Sequence, residues 1–116
     1  MHELSIAARL VDLATEHARA AGAAAVTAVT VRIGRLSCVH APALESGFEL
    51  MREGTPLERA ELRIIDVPVR VWCPQCEAEA ELPDIARLAC PTCGTRTGDI
   101  RAGRELDLES LDLEAA

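Results

Sequence analysis

Four of the five cysteines form two matching turns, Cys73-Pro-Gln-Cys76 and Cys90-Pro-Thr-Cys93, with thirteen residues between them. A Cys-x-x-Cys turn lets two thiolates converge on one metal ion while backbone N–H groups point at the sulfurs, and two such turns complete a tetrahedral four-sulfur site. The competing chemistries are two disulfides or a single redox dithiol. Structural disulfides rarely persist in a cytosolic chain, and redox dithiols do not normally come as two matched turns. The pattern therefore predicts Zn²⁺ held by Cys73, Cys76, Cys90 and Cys93, iron being the other metal that four sulfurs accept. Four thiolates leave no open position for water or substrate, so the site is predicted to be structural. The segment between the turns, EAEAELPDIARLA, is short and acidic and cannot bury a core of its own, which makes the fold of residues 73–93 dependent on the metal. Cys38 has no partner at this spacing and is predicted to be a semi-buried small apolar residue.

The second place for chemistry is the start, Met1-His2-Glu3. A histidine at position two can offer its imidazole together with its own backbone nitrogen, and the Met1 amine can close a further chelate ring. Nitrogens in a plane suit Ni(II) or Cu(II). If a helix begins here, its first N–H groups have no intrahelical partner, so lending them to a metal breaks no helical bond. The helix dipole opposes a bare cation at that end, and deprotonated amides or Glu3 would offset it. The same three residues also read as an ordinary solvated helix start. His17 lies fifteen residues further on, about 22 Å along a straight helix, and cannot share a metal with His2. His40, beside Pro42, sits in a loop whose reading ranges from a cap to an extra ligand.

These residues must be positioned by a small set of elements. Leu4, Ala7, Ala8, Val11, Ala14 and Ala18 recur at helical spacing, which predicts an amphipathic helix from Leu4 to about Ala21, stopped by Gly22. Val29, Val31 and Ile33 alternate with Thr30 and Arg32, a strand pattern ended by Gly34. Pro42 opens a second helix whose stripe is Leu44, Phe48 and Met51, with Gly54 as its stop. Leu62 to Trp72 is β-rich, and Pro68 within it argues for an edge position or a break between two strands. From Arg104 to Glu114 leucines alternate with acids but change parity at Ser110, where a bulge would restore one apolar face. The order predicts an α+β fold, a small mixed sheet with two helices plus an inserted zinc-ribbon-like four-cysteine module. The expected division is a core of residues 1–67 and 104–116 and a zinc-binding module of residues 68–103.

Composition narrows the function. The chain has 116 residues, enough for one modest core, and a net charge of −7. No apolar run approaches the roughly 20 residues of a membrane span. The N-terminus also lacks a signal-peptide pattern, which predicts a cytoplasmic location without a membrane span. All twelve basic residues are Arg, and the module of residues 68–103 carries four Arg against five acids. A zinc-ribbon adaptor for protein or nucleic acid is the main alternative function, but nucleic-acid binders cluster Arg/Lys with exposed aromatics, and Trp72 is the one aromatic nearby. A thiol oxidoreductase would need a Cys-x-x-Cys turn at a helix N-terminus with a basic neighbour, which is not found. No Ser/His/Asp set or phosphate loop can be argued, so the chain is read as a non-enzyme.

The combination of MHELSIA at the start, VRIGRLSCV at 31–39, FELMREGTPLERAELRI at 48–64, CPQC and CPTCG resembles the HypA/HybF family of hydrogenase nickel-insertion accessory proteins, in order and through essentially the whole chain. The resemblance implies a metallochaperone that carries Ni²⁺ as transferred cargo and Zn²⁺ as a structural ion. Carried over by residue, nickel is held by His2 through side chain and backbone, with Glu3 and the Met1 end nearby. It implies as partners a GTPase accessory protein of hydrogenase maturation and the [NiFe]-hydrogenase large subunit, with no nucleic acid. The chain departs from the family pattern at His40-Ala41-Pro42-Ala43-Leu44, where an acidic residue and Pro-Glu-Ala-Leu are expected, and no histidine occurs in residues 68–103.

Overall fold

The computed structural model describes residues 2–116. Helix α1 (His2–Ala20) is followed by strand β1 (Ala23–Gly34), a 3-10 turn at Arg35–Ser37 and helix α2 (Ala41–Met51). Strands β2 (Glu61–Val67), β3 (Arg70–Cys73), β4 (Ala78–Glu81), β5 (Ile100–Ala102) and β6 (Leu106–Ala115) complete the order. They make two three-stranded sheets, β2-β1-β6 and β4-β3-β5. The chain divides into two compact units, one of residues up to 31, 39–65 and 107–116, the other of residues 32–38 and 66–106.

In the first unit α1 buries Ala7, Leu10, Val11, Ala14 and Ala18; of the predicted stripe Leu4 and Ala8 are only half-buried, and Leu10 joins it. The helix begins at His2, two residues earlier than the apolar spacing implied, and Gly22 with φ +67 follows its end. Small residues let α1 and α2 approach closely: a Cβ at Gly47 would lie 3.2 Å from the Ala7 Cβ and 3.5 Å from the Leu4 Cα. His40 is the N-cap of α2, and Pro42 stands in its first turn where a missing N–H costs nothing. Leu44 and Phe48 are fully buried. The helix stops at Met51, short of Gly54, because Thr55 starts a turn whose hydroxyl bonds the Arg52 carbonyl at 2.6 Å and receives the Leu57 N–H at 3.1 Å.

The break expected at Pro68 separates β2 from β3. Along β6, Leu108 and Leu111 are half-buried whereas Leu106 and Leu113 are 44% and 40% exposed. One leucine from each side of the parity change is therefore the better covered, rather than all four.

In the second unit β3 is the centre of an antiparallel sheet, with Arg70 opposite Glu81 and Cys73 opposite Ala78 on the β4 side. Val69, Val71 and Leu82 form its apolar cluster, with Leu36, Leu88 and Ile100 packed on it. The acidic segment between the cysteine turns contributes Leu82 and Leu88, and their partners come from outside it. Gly34 is where two chain segments of this unit nearly touch. Its N–H donates to the Glu105 carbonyl at 2.7 Å, and a Cβ there would fall 2.1 Å from the backbone carbonyl carbon of Gly103.

Gly34→Ala is thus expected to force the backbones apart and to destabilise the protein by about 1–3 kcal/mol or more. Gly98→Ala, where an added Cβ meets nothing within 4 Å, should stay within about 1 kcal/mol of the parent. Thermal unfolding of the two variants beside the parent checks the pair, and equal melting points would refute the close-contact reading.

Candidate metal centre

The Cys73 to Cys76 turn leaves the end of β3, so a buried strand delivers Cys73 while the turn carries Cys76 to the surface. The Cys90 to Cys93 turn repeats this division, with Cys90 buried and Cys93 exposed. In both, the residue after the second cysteine has a left-handed backbone, Glu77 at φ 51 and Gly94 at φ 78. Glycine takes that conformation freely, and glutamate adopts it at some cost. The Cys76 N–H donates to Cys73 Sγ at 3.4 Å, and the Gly94 N–H closes the second turn on the Cys90 carbonyl at 2.8 Å.

The four sulfurs lie within 4.8 Å of one another. Cys73 and Cys93 sulfurs are 3.5 Å apart, and those of Cys76 and Cys90 3.9 Å. Both distances are far beyond the roughly 2.05 Å of a disulfide bond. A tetrahedral ion with metal–sulfur distances of about 2.3 Å would space its sulfurs about 3.8 Å apart, close to both of these separations.

The neighbours of the sulfurs decide where negative charge forms first. The Thr95 hydroxyl, 3.1 Å from Cys93 Sγ, and then the Thr95 backbone hold the Cys93 thiol down to about 6. Backbone N–H groups of Cys93 and Thr92 lower Cys90. Hydrogen bonding to Cys93, then to Cys73 and Cys90, pushes Cys76 up to about 12. Thr95 is a participant the sequence reading missed, although a hydroxyl two residues past a cysteine turn is a signal that could have found it. Asp99 and Arg101 brace the same unit: Arg101 binds Asp99 through two hydrogen bonds of 2.9 and 3.0 Å and stacks 5.1 Å from the Trp72 ring centre.

At the start of α1, His2 is exposed, and its Nδ1 lies 3.7 Å from Glu3 Oε2. That same oxygen accepts the backbone N–H of His40 at 3.1 Å. The His40 amide, followed by Glu3's own amide, holds the Glu3 carboxyl below its ordinary range. Residues 37 positions apart are joined here, which no local pattern announces. The third residue of the expected N-terminal set, Met1, lies outside the described residues. His17 is exposed in the last turn of the same helix, where its carbonyl accepts the Ala21 N–H. Cys38 corrects the sequence reading: it is exposed, with φ 59, because it caps the 3-10 turn instead of packing into apolar surroundings.

Fold and site together define a small α+β metal-binding protein built around a four-cysteine cluster. Among the described residues no helix is long and apolar enough to cross a membrane. Residues 1–113 match the family model described as "Hydrogenase/urease nickel incorporation, metallochaperone, hypA". A hydrogenase maturation factor HypA from Chloroflexus aggregans is 48% identical over 112 residues, covering 97% of this chain and 98% of its own. The factor of the same name from Aquifex aeolicus is 40% identical over 114 residues, covering 98% of each. The solution structure of the Ni metallochaperone HypA from Helicobacter pylori superposes with a TM-score of 0.68 at 28% identity and 98% coverage of both chains. A further HypA solution structure gives 0.74 at 31% identity, covering 100% of this chain and 98% of the other. The chain belongs to the HypA family of nickel-incorporation metallochaperones that serve hydrogenase maturation.

The Thr95 contact can be tested in metal-loaded protein. Thr95→Val removes the largest cause of the low Cys93 pKa, so protons should compete better for that sulfur and the bound metal should be released at a higher pH than in the parent when the protein is acidified. An unchanged release pH would show that Thr95 does not hold the Cys93 thiolate.

Proposed function

We propose that this protein binds Ni(II) at its N-terminus in an exchangeable site and passes it to the large subunit of a [NiFe]-hydrogenase in the cytoplasm. It does so with a GTP-hydrolysing accessory protein of the same pathway. Nickel is held by the His2 imidazole and backbone nitrogen, with Glu3 and the Met1 end completing the neighbourhood. Cys73, Cys76, Cys90 and Cys93 hold a structural Zn²⁺. In this reading residues 1–67 and 104–116 are the nickel-binding core, and residues 68–103 the zinc-binding module. Zinc there supplies cross-linking of two chain turns, with no position left for substrate.

The observation that supports the nickel assignment is the placement of His2. Its ring is exposed at the first turn of α1, beside a carboxylate that the His40 amide already holds in its charged form. A delivery site needs ligands that release their ion, and a solvent-reached imidazole meets that need better than a closed sulfur cage does. Glu3 also lowers the cost of a cation at the positive end of a helix.

Calorimetric titration of Ni(II) into zinc-loaded protein with a native, untagged N-terminus should give one equivalent, and His2→Ala should abolish it. The affinity should fall as pH is lowered, because imidazole and amide ligands must give up protons to bind metal. Retained binding in His2→Ala, or an affinity indifferent to acid, overturns the assignment. Stripping zinc with a chelator should expose the amides of residues 73–93 to fast hydrogen exchange while α1 and α2 keep their protection. Unchanged protection in residues 73–93 would show that the module folds without metal.

A further inference from the structure

In the second unit, the loop after β4 and the chain leaving the second cysteine turn run antiparallel. Ala89 bridges Arg96, and the Thr97 N–H donates to the Leu88 carbonyl at 3.1 Å. This pairing brings Arg87 and Arg96 to one open pocket of about 420 Å³, lined also by Ala86, Leu88, Thr97 and Gly98. No acidic residue lines it.

The chain as a whole is acidic, with 19 acids against 12 bases. Arg32, Arg35, Arg63, Arg70 and Arg101 each pair with a carboxylate. The pocket that contains Arg52 and Arg59 is lined also by Glu45, Glu49 and Glu61. Asp84, the one acid of the loop, is exposed; its Oδ1 accepts the Ala86 N–H at 2.9 Å, and it lines an adjoining pocket with Arg87 rather than this one. Among the described residues Arg87 and Arg96 have no ion pair or side-chain hydrogen bond. Two like charges sharing one face repel each other, and an anion between them removes that repulsion.

We propose that this pocket docks an acidic segment of a partner protein, setting a carboxylate between Arg87 and Arg96 and an apolar side chain against Ala86 and Leu88. Exposed ion pairs contribute little by themselves, so a small anion alone has too few contacts to be held. A peptide adds the apolar ones. Ile85, 39% exposed two residues before Arg87, adds exposed apolar surface to this loop, and arginine is enriched at protein interfaces. The net charge of −7 repels an acidic partner over most of the surface and leaves this spot to steer it. A Cβ at Gly98 would meet nothing within 4 Å, so this side of the pocket is open space.

The test uses the full chain with metal bound, followed by heteronuclear NMR of the amides and arginine Nε–H groups. The probes are a capped peptide of alternating Glu and Leu, the same peptide with Lys for Glu, and inorganic phosphate. The acidic peptide should give saturable shifts at Arg87, Arg96 and Gly98, and the basic peptide none. Arg87→Gln and Arg96→Gln should each weaken binding about two- to fivefold, and the double substitution about tenfold or more at low salt. Gly98→Glu, which fills open space without disturbing packing, should block the site while the metal content stays that of the parent. Unchanged affinity in the double substitution overturns the proposal. So does phosphate producing the same shifts at the same concentration, which would make the pocket a small-anion site rather than a protein-docking one.

Discussion

Four sulfurs within 4.8 Å of one another can carry thiolate charge together only if a cation lies among them. The second unit is arranged around that constraint. One sulfur of each turn is buried and fixed by the strand or loop behind it, and the other is exposed, so the module's two cysteine turns are held from inside and closed from outside. The apolar cluster of Val69, Val71 and Leu82 is small, with Leu36, Leu88 and Ile100 completing it. Such a cluster offers little hydrophobic stabilisation for its length, and closing a chain of this size needs a cross-link of another kind. The polar neighbours of the sulfurs assist. Thr95 and the amides of Thr92 and Cys93 favour thiolate at the second turn, and thiolate is the form a metal takes.

The first unit solves a different problem. A helix start with exposed His2 would ordinarily fray, yet Glu3 ties it to the N-cap of α2 through the His40 amide. Behind that tie, Gly47 lets the two helices come close at Leu4 and Ala7. The position of His2 is thereby set by packing in the next turn and a half of the helix, while the ring itself stays exposed beside Glu3. On the proposed reading this separates two demands on a delivery site: the scaffold is rigid, and the ligand that must let go is not enclosed.

The elements whose side chains repeat with a clear period were legible in the sequence: the α1 stripe, the β-branched run in β1, and the break at Pro68. The cysteine turns were equally plain, because two ligands three residues apart are a local feature and their convergence needs only that the turns face each other. What escaped were contacts made across long chain separations or by backbone groups. The His40 amide on Glu3 leaves no trace in either residue's type. Cys38 read as apolar because its residue type favours burial, whereas its left-handed backbone at the end of a 3-10 turn sets it outside. The leucines of β6 carried the right signal of a parity change, but which of them are covered depends on the strand's neighbours and not on its own alternation.

The all-arginine basic set also has a structural sense. Arg35 forks onto Asp66 with bonds of 3.2 and 3.0 Å, and Arg101 onto Asp99 with 2.9 and 3.0 Å. Planar guanidinium groups make such two-bond contacts with carboxylates, and lysine cannot. Each pair is exposed and adds little stability. Their effect is instead to fix local geometry: Arg101, oriented by Asp99, lies over Trp72, whose N–H donates to the Asp99 carbonyl at 2.9 Å and whose carbonyl accepts the Thr97 hydroxyl at 2.7 Å. Trp72 immediately precedes Cys73 in β3, so this surface clasp holds the strand that delivers the first sulfur. In a chain with few aromatic side chains to pack, directional contacts of this kind supply the order that a larger core would otherwise impose.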